Sequence, residues 1–224
     1  MRTYDPHHPL FFLHLPKSGG ISVREVFAGW FGEGLLLHYL DEATGALPVK
    51  HDLAALHTPA RPVALCGHFN KARGIGIPTY YPEAKQFITI LRDPLERALS
   101  MYFFLRQHGP AWKDASRVPS DDLLTYLRSS PGRMVNHFPC DITLDNYREV
   151  IDTLFIEVGI TEHLDASMAR IARRLGRIYR PGSIRHLNAT ERDRYALPEA
   201  VRQEFIANNP LEYAIYHHVR AMYA

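Results

Sequence analysis

The chain has 224 residues and carries 26 Lys+Arg against 24 Asp+Glu, a formal charge of +2. A chain of this length can bury roughly 70% of the surface it exposes when unfolded, so a single domain over 1–224 is expected. Hydrophobic residues make up 46% and charged residues 22%, which argues against a disordered, collagen-like or coiled-coil chain, and the small net charge argues against a general nucleic-acid binder.

In chain order, Leu10-Phe11-Phe12-Leu13-His14-Leu15 is a short apolar run ended by Pro16 and reads as a strand buried on both faces. Gly19-Gly20 follow, and Ser22 to Phe27 has helical spacing. Ser22 and Glu25, three apart, fit a capping box there. Arg61–Cys66 is a second strand candidate with Gly67-His68 at its end, and Phe87–Leu91 a third, stopped by Arg92-Asp93-Pro94. Pro94 suits the first turn of a helix running from Leu95 to Arg106. Leu154–Ile160 is a fourth strand, and a helix from Thr161 to Leu175 is stopped by Gly176. Further helices are expected at 121–128, 145–152, 198–208 and 211–223. Segments 32–60 and 68–86, rich in Gly, Pro and His, read as long surface loops around a site. Strands alternating with helices predict an α/β fold, an open and mostly parallel sheet flanked by helices.

The two cysteines, Cys66 and Cys140, are too few for a disulfide framework and read as reduced thiols. No run reaches the roughly 18 apolar residues of a membrane span, and the first residues do not form a secretory signal. A soluble, cytoplasmic protein is expected.

The sharpest chemical signal is Leu15-Pro16-Lys17-Ser18-Gly19-Gly20-Ile21-Ser22 between a strand and a helix. Glycines let backbone N–H groups converge on an anion, and a helix N-terminus adds partial positive charge. Lys17 supplies a full cation, and Ser18 and Ser22 supply hydroxyls. The lysine precedes the glycines, so this is not the G-x-x-x-x-G-K-[ST] loop, and G-x-G-x-x-G is absent as well. The structural alternative is a plain tight turn. A second segment, Arg92 to Tyr102, puts Arg92 at a strand end and Ser100 on the following helix. Arg92 can fork onto a second anionic group and Ser100 can donate to it; the alternative is a local Arg92–Asp93 ion pair. Arg97 reads as structural.

These two segments, 75 residues apart at Lys17 and Arg92, resemble the carbohydrate sulfotransferase families that use 3′-phosphoadenosine 5′-phosphosulfate (PAPS). Pro16–Ser22 is similar to their 5′-phosphosulfate loop, P-K-[TS]-G-G-T-[ST], with Ile21 where the family commonly has Thr. Arg92–Tyr102 is similar to their 3′-phosphate segment, R-[DN]-P-x-x-R-x-x-S-x-[YF]. Arg92–Arg97 and Tyr102–Arg106 resemble the heparan sulfate 2-O-sulfotransferases most, and Val158–Glu162 resembles a segment of the 6-O-sulfotransferases. The likeness runs from about residue 10 to about residue 220. It implies a P-loop-like sulfotransferase fold and PAPS as donor, without a metal. It also implies an acceptor hydroxyl of a glycan or small molecule. Lys17, Ser18, Gly19, Gly20, Ile21 and Ser22 would bind the 5′ end, Arg92 and Ser100 the 3′-phosphate, and Arg185, in the 183–190 stretch, would add a second cation.

Lys17 is the natural cation for the leaving oxygen, since sulfuryl transfer, like phosphoryl transfer, builds charge there. A sugar hydroxyl needs a base. Of thirteen histidines, His68 stands at a predicted strand end, where ligands gather in α/β sheets, and its Gly-His pair resembles the catalytic histidine of the 2-O-sulfotransferases. A hydrogen-bonded structural histidine is the competing reading. His14, inside the first strand, reads as packed, while His38, His51 and His57 are left open. The loops at 32–60 and 106–120 would shape the acceptor pocket. Other functions compatible with the pattern are an ATP-dependent small-molecule kinase and a non-catalytic nucleotide-binding relative.

Overall fold

A computed structural model describes residues 1–129, 134–184 and 197–223. Within them five strands, β1 (Leu10–Leu13), β2 (Leu35–His38), β3 (Ala64–Gly67), β4 (Phe87–Leu91) and β5 (Phe155–Ile160), form one sheet in the order β2-β3-β1-β4-β5. Every pairing is parallel. The helices are α1 (Gly20–Phe31), α2 (Leu53–Leu56), α3 (Ile77–Tyr80), α4 (Pro94–His108), α5 (Leu123–Ser129), α6 (Tyr147–Leu154), α7 (Leu164–Leu175), α8 (Glu199–Asn208) and α9 (Pro210–Ala221). The α/β architecture is therefore the expected one.

The sheet is buried on both faces, as the uninterrupted apolar strands require. Phe11 and Leu13 of β1 pack with Leu65, Phe155, Ile215 and Val219 on one face. Leu10 and Phe12 pack with Val23, Phe27, Met168 and Ile171 on the other. A third cluster joins α4 to α5, α8 and α9 through Leu95, Tyr102, Leu127, Phe205 and Tyr213.

Four expectations need correction. Segment 32–60 is not all loop: Leu35–His38 is the edge strand β2, and Leu53–Leu56 is a helical turn. Segment 68–86 likewise holds α3. Gly34 lets β2 approach β3, since a Cβ there would lie 2.5 Å from the Pro62 carbonyl oxygen. The capping box is also absent. The N-cap of α1 is Gly19, with no side-chain cap, and Ser22 lies inside the first turn. The Thr161–Leu175 helix is a 3₁₀ turn at Thr161–His163 followed by α7.

The topology locates the site. The connection leaving β1 runs to β2 on one side of the sheet, and the one leaving β4 runs to β5 on the other. Between two such neighbours a crevice opens outside the carboxyl ends, the usual ligand position in an open α/β sheet. Lys17 follows β1 and Arg92 follows β4.

Candidate functional site

Residues 14–22 turn from β1 into α1 through two left-handed positions, Lys17 (φ 69) and Gly19 (φ 73). Lys17 is the only non-glycine residue with positive φ among the described residues, a strained conformation that tends to mark functional loops. Gly20 makes room for His14, since a Cβ here would lie 1.8 Å from Cδ2 of that ring and force it to shift. The N–H groups of Gly20 and Ile21, at the start of α1, have no acceptor inside the helix and sit at its positive end. The Ser18 N–H turns back onto the Leu15 carbonyl at 3.3 Å. Ser18 is fully buried and its Oγ has no hydrogen-bond partner among the described residues. Ile21 is 41% exposed, so its side chain leaves the loop and only its main chain serves the turn.

Arg92 closes this loop from β4. Its guanidinium is 4% exposed and donates through Nη1 to the Lys17 carbonyl oxygen at 2.9 Å. Nη2 is buried without a hydrogen-bond partner among the described residues, and lies 3.7 Å from the Glu96 carboxylate. Asp93 caps α4 by accepting from the Glu96 N–H at 3.0 Å, and does not pair with Arg92 as the local reading had it. A buried hydroxyl on the loop and a buried guanidinium N–H beside it, neither hydrogen-bonded among the described residues, are costly, at about 1–3 kcal/mol each. Each is a donor of the kind that the oxygens of an anionic group satisfy. The residues present therefore fit a phosphate or sulfate. Lys17 Nζ lies 4.3 Å over the Phe104 ring of α4.

Beside the loop, a cleft of about 400 Å³ runs between α1 and residues 178–184, lined by Ser22, Val26, Trp30, Arg180 and Ser183. Arg185, expected to reach the donor, lies outside the described residues. Ser100 is buried on α4. Arg97 is buried and pairs with Glu212 of α9 at 3.1 Å, a structural role.

His68 directly follows β3. Its Nδ1 lies 2.6 Å from the carbonyl oxygen of His14. A carbonyl only accepts, so Nδ1 carries the hydrogen and Nε2 holds the lone pair. The ring packs against His14 at 4.4 Å and edge-on to Tyr39 at 4.8 Å. Burial pushes its pKa down to about 4, against smaller upward pulls from the His14 carbonyl and Glu42. The imidazole is thus neutral at pH 7. Burial also holds His14 and His137 well below the ordinary histidine range, with the charges of His68 and of nearby arginines acting the same way.

Several neighbours of this site escaped the sequence reading. Tyr39 Oη bonds Nδ1 of His14 at 2.7 Å and Sγ of Cys66 at 3.2 Å. His137 faces His68 with ring centroids 6.2 Å apart. Tyr39 was hidden because β2 was read as loop; as the residue after a strand of this sheet it stands at the ligand-binding end. No comparable signal marks His137. Among the described residues no group of three or more His, Cys, Asp or Glu is placed to hold a metal ion, and no helix is long and apolar enough to cross a membrane.

No protein-family model matches the chain, and no curated protein matches it. Chains of solved structures do, 13 of them. One is mouse sulfotransferase SULT7A1 complexed with PAP, at a TM-score of 0.49 and 19% identity, covering 77% of this chain and 59% of that one. The chain thus spans less than two thirds of that protein's length.

Proposed function

We propose that this protein is a sulfotransferase that moves a sulfuryl group from PAPS to an acceptor hydroxyl, carried by a glycan or a small molecule. The observation that carries the reading is the convergence of two distant segments on one loop. Arg92, at the end of β4, holds the Lys17 carbonyl, and Ser18 on the loop so fixed and Arg92 beside it keep buried donors without a hydrogen bond among the described residues.

PAPS supplies the activated sulfuryl group and leaves as the 3′,5′-bisphosphate. The loop from Lys17 to Ser22 binds the 5′ side by its N–H groups and hydroxyls, and the Lys17 ammonium offsets the charge that grows on the leaving oxygen. Preorganised donors of this kind need no rearrangement as that charge develops. Arg92 and Ser100 serve the 3′-phosphate, and Arg185 joins them. Nε2 of His68 accepts the proton of the acceptor hydroxyl as its oxygen attacks. The tautomer fixed by the His14 carbonyl keeps that lone pair available. The work is positioning and charge stabilisation, as in phosphoryl transfer.

Calorimetry with the 3′,5′-bisphosphate, with and without Mg²⁺, followed by transfer of labelled sulfate to a panel of hydroxyl acceptors, tests this. Metal-independent binding and label in an acceptor are expected. Mg²⁺-dependent binding of ATP in place of the bisphosphate would make the protein a kinase. Binding with no transfer to any acceptor would make it a non-catalytic module.

A further inference from the structure

Three loops meet on one carboxylate. Glu42, in the connection after β2, receives Nη1 and Nη2 of Arg73 at 2.7 and 3.1 Å, a forked pair. Its second oxygen also receives Nη1 of Arg117 at 2.7 Å. Its main-chain carbonyl accepts the Lys113 N–H at 2.8 Å. Arg73 belongs to the loop after β3, and Arg117 and Lys113 to the segment after α4. Arg117 in turn covers the Trp112 ring at 4.7 Å, Trp112 packs on Phe104, and Phe104 carries the Lys17 ammonium. A continuous line of contacts therefore runs from Glu42 to the anion loop. Arg73 and Glu42 are both partly buried, at 29% and 26% side-chain exposure. Burial works to raise the Glu42 pKa, yet the two guanidiniums outweigh it and hold the carboxyl below its usual value. One carboxylate against two arginines leaves a net positive charge.

We propose that Glu42 is a positioning residue: by locking Arg73 and Arg117 together it joins the loops after β2, β3 and α4 into a single wall on the acceptor side of the site. The acceptor-side role rests on the sulfotransferase reading; the lock and its action on His68 do not. The geometry is that of a keystone. Arg73 and Arg117 repel each other, and nothing else in the described contacts bridges both loops through charge. The rings packed against His68 are those of His14 at the β1 end, Tyr39 after β2 and His137, while the Glu42–Arg73–Arg117 set acts on it by charge, the carboxylate raising its pKa and the two guanidiniums lowering it. Of these, Glu42 alone is a carboxylate, and both arginines oppose it.

The test is Glu42→Gln, which keeps the shape and removes the charge, beside Glu42→Asp, which keeps the charge. Three readouts are taken on the full chain. They are the titration midpoint of the His68 ring by NMR, assigned with His68→Ala, the rate of tryptic cleavage after Arg73, Lys113 and Arg117, and the affinity for the 3′,5′-bisphosphate. In Glu42→Gln the His68 midpoint falls and cleavage speeds by fivefold or more, while nucleotide affinity stays within twofold. Glu42→Asp holds the His68 midpoint closer to wild type. Unchanged titration and unchanged cleavage in Glu42→Gln overturn the proposal. So does a matching loss of thermal stability and nucleotide affinity, which would mean the residue supports the whole fold. If the wild type itself fails to bind the bisphosphate, the sulfotransferase reading fails, while the first two readouts still decide the lock.

Discussion

Arg92 holds Lys17 by its main chain and not by its side chain: the guanidinium donates to the Lys17 carbonyl oxygen at 2.9 Å. The bond fixes the peptide that follows a left-handed residue. The lysine ammonium lies over the Phe104 ring of α4.

Replacing Arg92 removes that support. Arg92→Ala is expected to weaken binding of the 3′,5′-bisphosphate at least tenfold and to cost about 1.5–3 kcal/mol of stability, the usual value of a hydrogen bond to a charged group. Arg92→Lys keeps the charge without the fork and should recover less than half of the lost binding energy. Calorimetry and thermal melting read the two effects; unchanged affinity in Arg92→Ala would remove the assigned role.

Lys17 separates activity from stability. Lys17→Ala loses the contact with Phe104 at a cost of about 1 kcal/mol or less, yet should lower transfer by on the order of a thousandfold. Lys17→Gly relieves the strained φ of 69° and is expected to melt a few degrees above Lys17→Ala, since a left-handed residue with a Cβ costs about 1 kcal/mol. Equal melting of the two variants would show that the turn relaxes.

Gly20→Ala drives a methyl into the ring of His14. Both the anion loop and the carbonyl that holds His68 lie at that contact. A loss of about 2–3 kcal/mol is expected, with nucleotide binding lost alongside. Denaturant unfolding checks the first and calorimetry the second.

The pH dependence carries a sign that tests the His68 assignment. A base must be unprotonated, and burial places the His68 pKa at about 4. Transfer should therefore stay level from pH 8 down to about pH 5, where an ordinary histidine would already have lost activity. A falling limb near pH 6.5 would point to another base, and near-wild-type turnover in His68→Ala would exclude His68 altogether. Stability follows the same logic. His14, His68 and His137 all have folded values below the unfolded one, so in acid the unfolded chain binds more protons. Their contribution is full above about pH 6.5 and is lost as the pH falls toward the folded values. Thermal melting should stay level from pH 7.5 to about 6.5 and decline from there to pH 5.

Much of this was legible in the sequence because burial on both faces writes an unbroken apolar run. Leu10–Leu13, Phe87–Leu91 and Phe155–Ile160 could be read that way, and Pro94 and Gly176 marked helix ends where the structure has them. β2 could not. It is a four-residue edge strand of Leu-Leu-Leu-His, only its histidine fully buried, and it follows directly on a helix and a glycine turn. The start of α1 was misplaced because Ser22 and Glu25 have cap spacing, whereas the left-handed Gly19 makes the turn by main chain alone. Lys17 and Arg92 were legible as chemistry, but their contact was not, since nothing in either residue type predicts a side chain bonding the other's carbonyl. The Glu42–Arg73–Arg117 set was invisible for a related reason. Its members are 31 and 75 residues from Glu42, and each is an ordinary charged residue in its own loop.

The carbonyl that orients His68 belongs to residue 14, whose ring fills the hollow above Gly20. Because that acceptor is a peptide group, no change of side chain at position 14 can delete it. The direction of the imidazole is thus inherited from the path of the central strand, and would survive sequence drift that leaves this path intact. What drift cannot touch without penalty is the strand's exit, where a shift of the chain would disturb the anion loop and the imidazole in a single movement.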